Sequence, residues 1–354
     1  MTSRERVNAA LRFEIPDRIP RFVWLSGEVK RRLAKKHGVS LLELEILLGN
    51  DILQSWVSIN GEMERDVPQG TVFTDAFGVT WKRDGAYNMV VRHPLSGLDA
   101  DGVRAWRPPN PHASERYKQL EFLVRAYGRE YFIGADVSGT LFEPACHLRG
   151  MDDLMLDMAS CGEEADLLLD KLAEFSIAVA LESLERSADW IWLGDDLGSQ
   201  HGMLISPGMW RAYMKPRMRR IIHMIRRVKP EVPIVYHSCG SIAPIIGDLV
   251  EIGVNVLNPL QEGAAGMNQE AVQREYKGRL TLMCGLDTQR FMPVATPPEI
   301  FRATRDKIKT LGADNGYIFA VSHHIQGDVP DENIEAMFQA LSEEELLFKK
   351  GAVD

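Results

Sequence analysis

Cysteine is scarce in this chain: Cys146, Cys161, Cys239 and Cys284 are the four found in 354 residues. Their wide scatter excludes a disulfide framework, so each thiol is left as a core residue, a nucleophile or a metal ligand. Long apolar runs are also missing. No stretch reaches the ~18 residues that span a bilayer. The opening Met1-Thr2-Ser3-Arg4-Glu5-Arg6 leads into a polar helix without the apolar region of a secretory signal. These absences predict a cytoplasmic protein with no membrane partner. Excess positive charge is lacking too: 41 Lys and Arg stand against 50 Asp and Glu, for a net charge of -9, which argues against nucleic acid as a partner. A Gly-rich dinucleotide fingerprint follows none of the predicted strands, and internal repeats and low-complexity tracts are absent.

What is present is an ordinary globular composition, 45% hydrophobic and 26% charged, with a rhythm. From about residue 130 onward, short β-branched or aromatic runs alternate with longer helical ones, the pattern of repeated βα units. Predicted strands cover 131–135, 190–193, 233–236, 254–257, 280–283 and 317–321, and an N-terminal one lies at 21–24. Helices are predicted over 167–184, 207–228, 242–252, 298–311 and 332–349. Seven strands and a βα region of this length favour a (β/α)8 TIM-type barrel over an open doubly wound sheet, with residues 1–354 forming a single domain. The segment 50–111 breaks the rhythm. Residues 71–83 and 88–93 alternate like a β-hairpin joined at Asp84-Gly85, and Trp106-Arg107-Pro108-Pro109-Asn110-Pro111 is a stiff connector, so this segment is expected to be an insertion near the barrel mouth.

In a parallel barrel the residues just beyond each strand converge on one face, where active sites are built. Here those ends carry Asp136, Gly194-Asp195-Asp196, His237-Ser238-Cys239-Gly240, Asn258-Pro259, Cys284-Gly285-Leu286-Asp287 and Ser322-His323-His324. His237 and Cys239 are two apart, so a persisting pleat points both the same way. Imidazole with thiolate suits zinc, and a catalytic site needs about three protein ligands. Cys284, His323 and Glu143 are the candidates for the third. Asp195, Asp287 and Glu143 are candidate proton-transfer groups, and Asp136, Asp196, Gln200 and Gln289 candidate substrate ligands. Adjacent side chains diverge, so of Asp195 and Asp196 one is expected to face the pocket and the other to cap a helix. The cationic helix from Pro207, with Arg211, Lys215, Arg217, Arg219 and Arg220, reads as a solvated outer face. Met151, Met155 and Met158 read as core.

Taken together, Gly194-Asp195-Asp196-Leu197-Gly198-Ser199-Gln200, Ser206-Pro207, His237-Ser238-Cys239-Gly240, Gly285-Leu286-Asp287-Thr288-Gln289 and Pro330-Asp331-Glu332-Asn333 resemble the uroporphyrinogen decarboxylase-like superfamily. That resemblance is strongest over 133–341. It implies one of two branches on a common barrel, a metal-free decarboxylase or a zinc-dependent methyltransferase linked to a corrinoid on a partner protein. The decarboxylases carry an arginine-rich segment after the first strand. The corresponding Leu25-Ser26-Gly27-Glu28-Val29 lacks those cations, which a polycarboxylate would need. His237 and Cys239 match the paired zinc ligands of the other branch, whose usual third ligand is a cysteine where this chain has Ser322-His323-His324. The resemblance therefore implies methyl transfer between a small methylated substrate, or a thiol or folate acceptor, and the partner's corrinoid. A metal-independent decarboxylase of a porphyrinogen-like or smaller acid, and a non-catalytic metal- or corrinoid-binding protein, are the alternatives.

Overall fold

The computed structural model describes residues 1–58, 65–85 and 87–349, with side chains as far as residue 343. Among the described residues, seven strands form one parallel sheet: β1 Ile52–Trp56, β5 Phe132–Asp136, β6 Trp190–Gly194, β7 Ile234–His237, β8 Val256–Asn258, β9 Thr281–Leu286 and β10 Tyr317–Val321, in that spatial order. The intervening labels belong to a separate antiparallel sheet, β2 Val72–Thr74, β3 Thr80–Asp84 and β4 Tyr87–Arg92.

An extended N-terminal segment closes the curled sheet. Arg21 and Leu25 bridge in parallel to Phe319 and Ile325. On its other side Asp51 N donates to Arg21 O at 2.9 Å, and Val23 N donates to Asn50 Oδ1 at 2.8 Å. This segment is thus the eighth stave, lying between β10 and β1, and the result is a TIM-type barrel. Ser26 caps the helix Gly27–His37 that follows, and a capping box of Ser40 and Glu43 opens Leu41–Leu47, so two helices carry the chain from the eighth stave into β1.

Side chains alternate strictly between two buried layers. Phe22, Ile52, Phe132, Trp192, Val235, Met283 and Ile318 fill the barrel interior, while their neighbours Leu53, Ile133, Leu193, Tyr236, Cys284 and Phe319 pack in the larger core under the helices. The same parity carries Trp24, Trp56, Asp136, His237 and Asn258 inward, one turn of the pleat above the interior layer. At the opposite end Asp51, fully buried, accepts from Arg6 Nη1 at 2.6 Å, Arg18 Nη1 and Nη2 at 2.7 and 2.9 Å, and Arg21 N at 2.9 Å.

Two expectations require correction. Residues 52–56 fall within the segment assigned to an insertion, yet they are the first sheet strand, and the departure from the barrel begins only after Trp56. The predicted strand 71–83 is broken at Asp75, whose carboxylate accepts from Phe77 N and Val79 N at 2.9 Å each and from Trp81 Nε1 at 2.8 Å, turning the chain into a third strand. The cationic helix is Lys215–Val228, preceded by a π-helical turn at Trp210–Met214 beside Pro216, which has no N–H to donate. Its cations are paired rather than merely solvated: Arg217 with Asp166 and Asp170, Lys215 with Asp248 and Glu251, Arg219 with Glu251. No described helix is long and apolar enough to cross a membrane.

Candidate metal centre

His237 ends β7 with its ring turned into the barrel mouth. Its Nδ1–H donates to Asn258 Oδ1 at 2.7 Å, and the Asn258 amide is held in that orientation by its own donation to Met283 O at 3.0 Å. The proton is thereby fixed on Nδ1, leaving the Nε2 lone pair for the cavity. Trp192 stacks on the ring from below, with centroids 5.8 Å apart and planes 27° from parallel.

Cys239 follows on a loop pressed against residues 197–199. A Cβ on Gly240, whose φ is 72°, would lie 2.3 Å from the Gly198 carbonyl carbon, and one on Gly198 would lie 2.6 Å from Cys239 O. Only glycine permits this approach. Leu197 N donates to Ser238 Oγ at 3.0 Å, Gly240 N to Gln261 Oε1 at 2.9 Å, and Cys239 N to Asp196 Oδ1 at 2.8 Å. Cys239 Sγ then lies 3.6 Å from His237 Nε2. His323, just past β10, brings a third donor, and the ligand atoms of His237, Cys239 and His323 all lie within 4.8 Å of one another.

The electrostatics of this trio fit a cation. Burial lowers His323 to about 4, with His237 adding to the effect, so its imidazole is neutral with a lone pair to give. Burial, reinforced by the Asp196 and Glu143 carboxylates, pushes the Cys239 thiol well above its usual range, so a thiolate there requires a compensating positive charge. Two imidazoles and one thiol form a borderline-soft donor set suited to zinc, and three protein donors leave a coordination position for a ligand.

Two of the trio, His237 and His323, line a cavity of about 300 Å³ together with Trp24, Trp56, Tyr87, Met89, Ser138, Glu143, Asp196 and His324. Tyr87 and Met89 come from β4, so the antiparallel sheet stands at the barrel mouth. Trp24 touches both Trp56 and Trp192 with centroids 5.5 Å apart. The described lining residues include two carboxylates and neither Lys nor Arg.

Cys284, expected as a third ligand, is a correction. It lies inside β9, two residues short of its end, with parity opposite to Met283, and is fully buried beneath the helices. Burial pushes its thiol up, and the charges it feels are Lys307, Glu262 and Glu270 on the outer layer. Asp195, expected to transfer protons, points away from the cavity: its carboxylate accepts from Leu141 N at 3.0 Å and Glu143 N at 3.1 Å, at the start of the helix Phe142–Arg149. Burial raises it to about 7 against the pull of those amides. Asp196 is the member of the pair that faces the cavity, 3.5 Å from His237 Nε2. Asp136 is buried beneath, accepting from Ser138 N at 2.8 Å and Gln54 Nε2 at 2.9 Å. Glu143 lines the cavity outside the trio. Gln200, Gln289 and Asp287 sit at the rim, where Gln200 Nε2 donates to Gln261 Oε1 at 3.2 Å and Gln289 Oε1 at 3.4 Å, and Asp287 Oδ1 accepts from Gln289 N at 2.6 Å. Trp24, Trp56, Tyr87 and Met89 were not singled out by motif reasoning. The signal for Trp24 was its place at the end of a predicted strand, and Trp56 was hidden with the strand that carries it.

Comparison with known proteins places these features in context. The family model described as uroporphyrinogen decarboxylase (URO-D) matches residues 70–344. The methylcobamide:CoM methyltransferase MtbA of Methanosarcina mazei is 25% identical over 256 residues, covering 71% of this chain and 70% of that protein. A uroporphyrinogen decarboxylase of Thermus thermophilus is 28% identical over 268 residues, covering 72% and 71%. Among solved structures, a methyltransferase from Methanosarcina mazei superposes with a TM-score of 0.73 over 97% of this chain and 99% of that one, at 19% identity, and so shares the fold.

Proposed function

The chain belongs to the uroporphyrinogen decarboxylase (URO-D) family, and within that family of enzymes we propose that it is a zinc-dependent methyltransferase, moving a methyl group between a small substrate and a corrinoid carried by a partner protein. One observation carries this reading: His237, Cys239 and His323 converge within 4.8 Å, and the two histidines line an aromatic cavity. The resemblance to a methylcobamide:CoM methyltransferase supports it. The described cavity lining residues, none of them Lys or Arg, disfavour a tetrapyrrole polycarboxylate, whose buried anions would need cationic partners.

His237 Nε2, Cys239 Sγ and the His323 ring would hold the ion. Zinc bound there supplies Lewis acidity, either keeping an acceptor thiol deprotonated or polarising the heteroatom that leaves a methylated substrate. Asn258 keeps the His237 proton on Nδ1 and so keeps Nε2 a donor. Trp192 fixes the plane of that ring. Asp196, through Cys239 N, sets where the sulfur sits, and its carboxylate and that of Glu143 are the groups at hand to take or return a proton from substrate. Trp24, Trp56 and Tyr87 exclude water from the reacting end, and the mouth beside β4 is where a corrinoid domain would approach.

The test is metal analysis of the purified protein, with a screen of methylated substrates against free cob(I)alamin followed by its conversion to methylcobalamin. One zinc per chain, lost together with methyl transfer in His237→Ala, is expected. A metal-free preparation that retains full activity would sink the proposal and favour a decarboxylase on the same barrel.

A further inference from the structure

We propose that the barrel-mouth cavity continues through the barrel wall into a second cavity, and that this second cavity binds the apolar body of an uncharged small molecule. The inference rests on the reading of the mouth cavity as a substrate site and names the class of substrate it takes. The second cavity has a volume of about 280 Å³ and lies where the eighth stave meets β1, lined also from the helices Gly27–His37, Leu41–Leu47 and Lys118–Tyr127. Its lining includes Phe22, Trp24, Gln54 and Trp56, on the inward parity of the two strands, and also Val23 and Leu53, which face the helix layer. A space that touches both faces of two neighbouring strands runs between them. Paired strands lie about 4.8 Å apart and leave no such gap, but here the pairing stops short. Asp51 N donates to Arg21 O, and the Asn50 amide reaches Val23 N and O at 2.8 and 3.1 Å; among the described residues no hydrogen bond joins the stave to β1 beyond Val23. Trp24 and Trp56, with centroids 5.5 Å apart and planes at 53°, line both cavities and form the partition between them.

The polar groups of the lining decide the class of ligand, because they are committed to the protein. Lys30 Nζ donates to Glu45 Oε1, so the two charges of the lining pair with each other. Both ends of the Asn50 amide are taken by Val23, and both ends of the Gln54 amide by Asp136 and Trp190. The rest of the described lining is apolar apart from Gln119, which is exposed at the outer end. A charged ligand group would give up its hydration there for no new partner, whereas an apolar body gains by burial.

Isothermal titration of the full chain, metal-free and zinc-loaded, with the primary alcohols from 1-butanol to 1-octanol measures the apolar length that the site accepts. Affinity is expected to rise about 4-fold per methylene to the end of the series in both forms. In the metal-free form 1-hexanol is expected to bind at least about 10-fold more tightly than hexanoate or hexylammonium. Leu42→Trp, which fills the second cavity from the helix side, is expected to weaken 1-octanol binding by about 10-fold or more; Leu41→Trp, at a half-exposed position on the same lining, makes the same test if the first variant does not fold. Anomalous diffraction from crystals soaked with 6-iodohexan-1-ol is expected to place the iodine between Leu53 and the helix Leu41–Leu47. A flat series, a preference for either ion, unchanged 1-octanol affinity in a folded filling variant, or iodine found only outside the second cavity would each overturn the proposal. A rising series in a protein that takes up no zinc would leave this inference standing and remove the metal-based one. Zinc uptake with a flat series would do the opposite.

Discussion

Removing the Asn258 amide tests whether His237 is a metal ligand without touching any donor atom. Asn258 Oδ1 accepts the His237 Nδ1 proton at 2.7 Å, while its Nδ2 donates to Met283 O at 3.0 Å, and the side chain is buried. In Asn258→Ala the imidazole loses the partner that fixes its tautomer and becomes free to turn about its Cβ bond. Outer partners of this kind are worth about 10- to 100-fold in metal affinity, or about 1.4 to 2.8 kcal/mol. Stability falls as well, because the Met283 carbonyl is stranded, by about 1 to 3 kcal/mol. The two effects separate in the assay: zinc affinity is measured by competition with a chromophoric chelator at a temperature where circular dichroism shows both proteins folded. Asn258→Asp preserves the acceptor for Nδ1 while repelling the Met283 carbonyl, so it should recover zinc affinity without recovering stability. Wild-type zinc affinity in folded Asn258→Ala, with affinity lost in His237→Ala, would refute the claim that the Asn258 hydrogen bond tunes the ligand.

Three further outcomes follow from the geometry. His323→Ala should lose zinc affinity by about 100-fold or more, whereas Cys284→Ala should retain stoichiometric zinc and show only a small drop in melting temperature; a chelator competition on both variants decides between the two residues. Asp51→Ala removes the buried carboxylate that Arg6 and Arg18 share and should cost about 3 to 5 kcal/mol in urea unfolding; a loss under about 1 kcal/mol would contradict it. Partial burial works to raise the Asp17 carboxyl, but the Arg6 guanidinium and the Met1 ammonium together outweigh it and hold the group at about 2, against an ordinary 3.8. Because the folded value is the lower one, the stability it contributes is present above the ordinary value and is lost as pH falls toward about 2. Asp17→Asn should therefore flatten the fall of the urea midpoint over that acidic range. An unchanged slope would count against the pairing.

Much of the barrel is legible in the chain because its strands are buried on both faces and read as short apolar runs between helices that carry their own start and stop signals. Ile318-Phe319-Ala320 and Ile191-Trp192-Leu193 are such runs. The strand Ile52–Trp56 is not. Ile52-Leu53 is followed by Gln54 and Ser55, and Gln54 is polar because it meets partners inside the barrel: Gln54 Nε2 donates to Asp136 Oδ2 at 2.9 Å, and its Oε1 accepts from Trp190 Nε1 at 3.0 Å. A strand whose inward face serves a polar layer loses the hydrophobic signature by which strands are found. The eighth stave is legible for the opposite reason, since Phe22 and Trp24 supply apolar side chains to the interior and to the cavity floor.

The site shows the same division between chemistry and parity. His237 and Cys239 are recognisable as a pair because β7 ends at His237 and the loop beyond it keeps both side chains turned into the mouth. Cys284 has the right chemistry and lies on a neighbouring strand, but β9 runs on to Leu286, so the thiol is in mid-strand and not beyond its end. An error of three residues in a strand boundary thus converts an outward-facing core thiol into an apparent ligand. Parity could have corrected it without coordinates. Met283 and Cys284 must face opposite sides, and Met283 belongs to the interior series that includes Val235 and Ile318, so the thiol belongs to the helix side. Parity misleads for His323, which shares the odd series of Phe319 and Val321 and reaches the trio because it lies on the loop past the end of β10. Parity also explains why the aromatic lining was invisible to motif reasoning: Trp24 and Trp56 lie on strands whose only mark of inward direction is their register with the His237 layer.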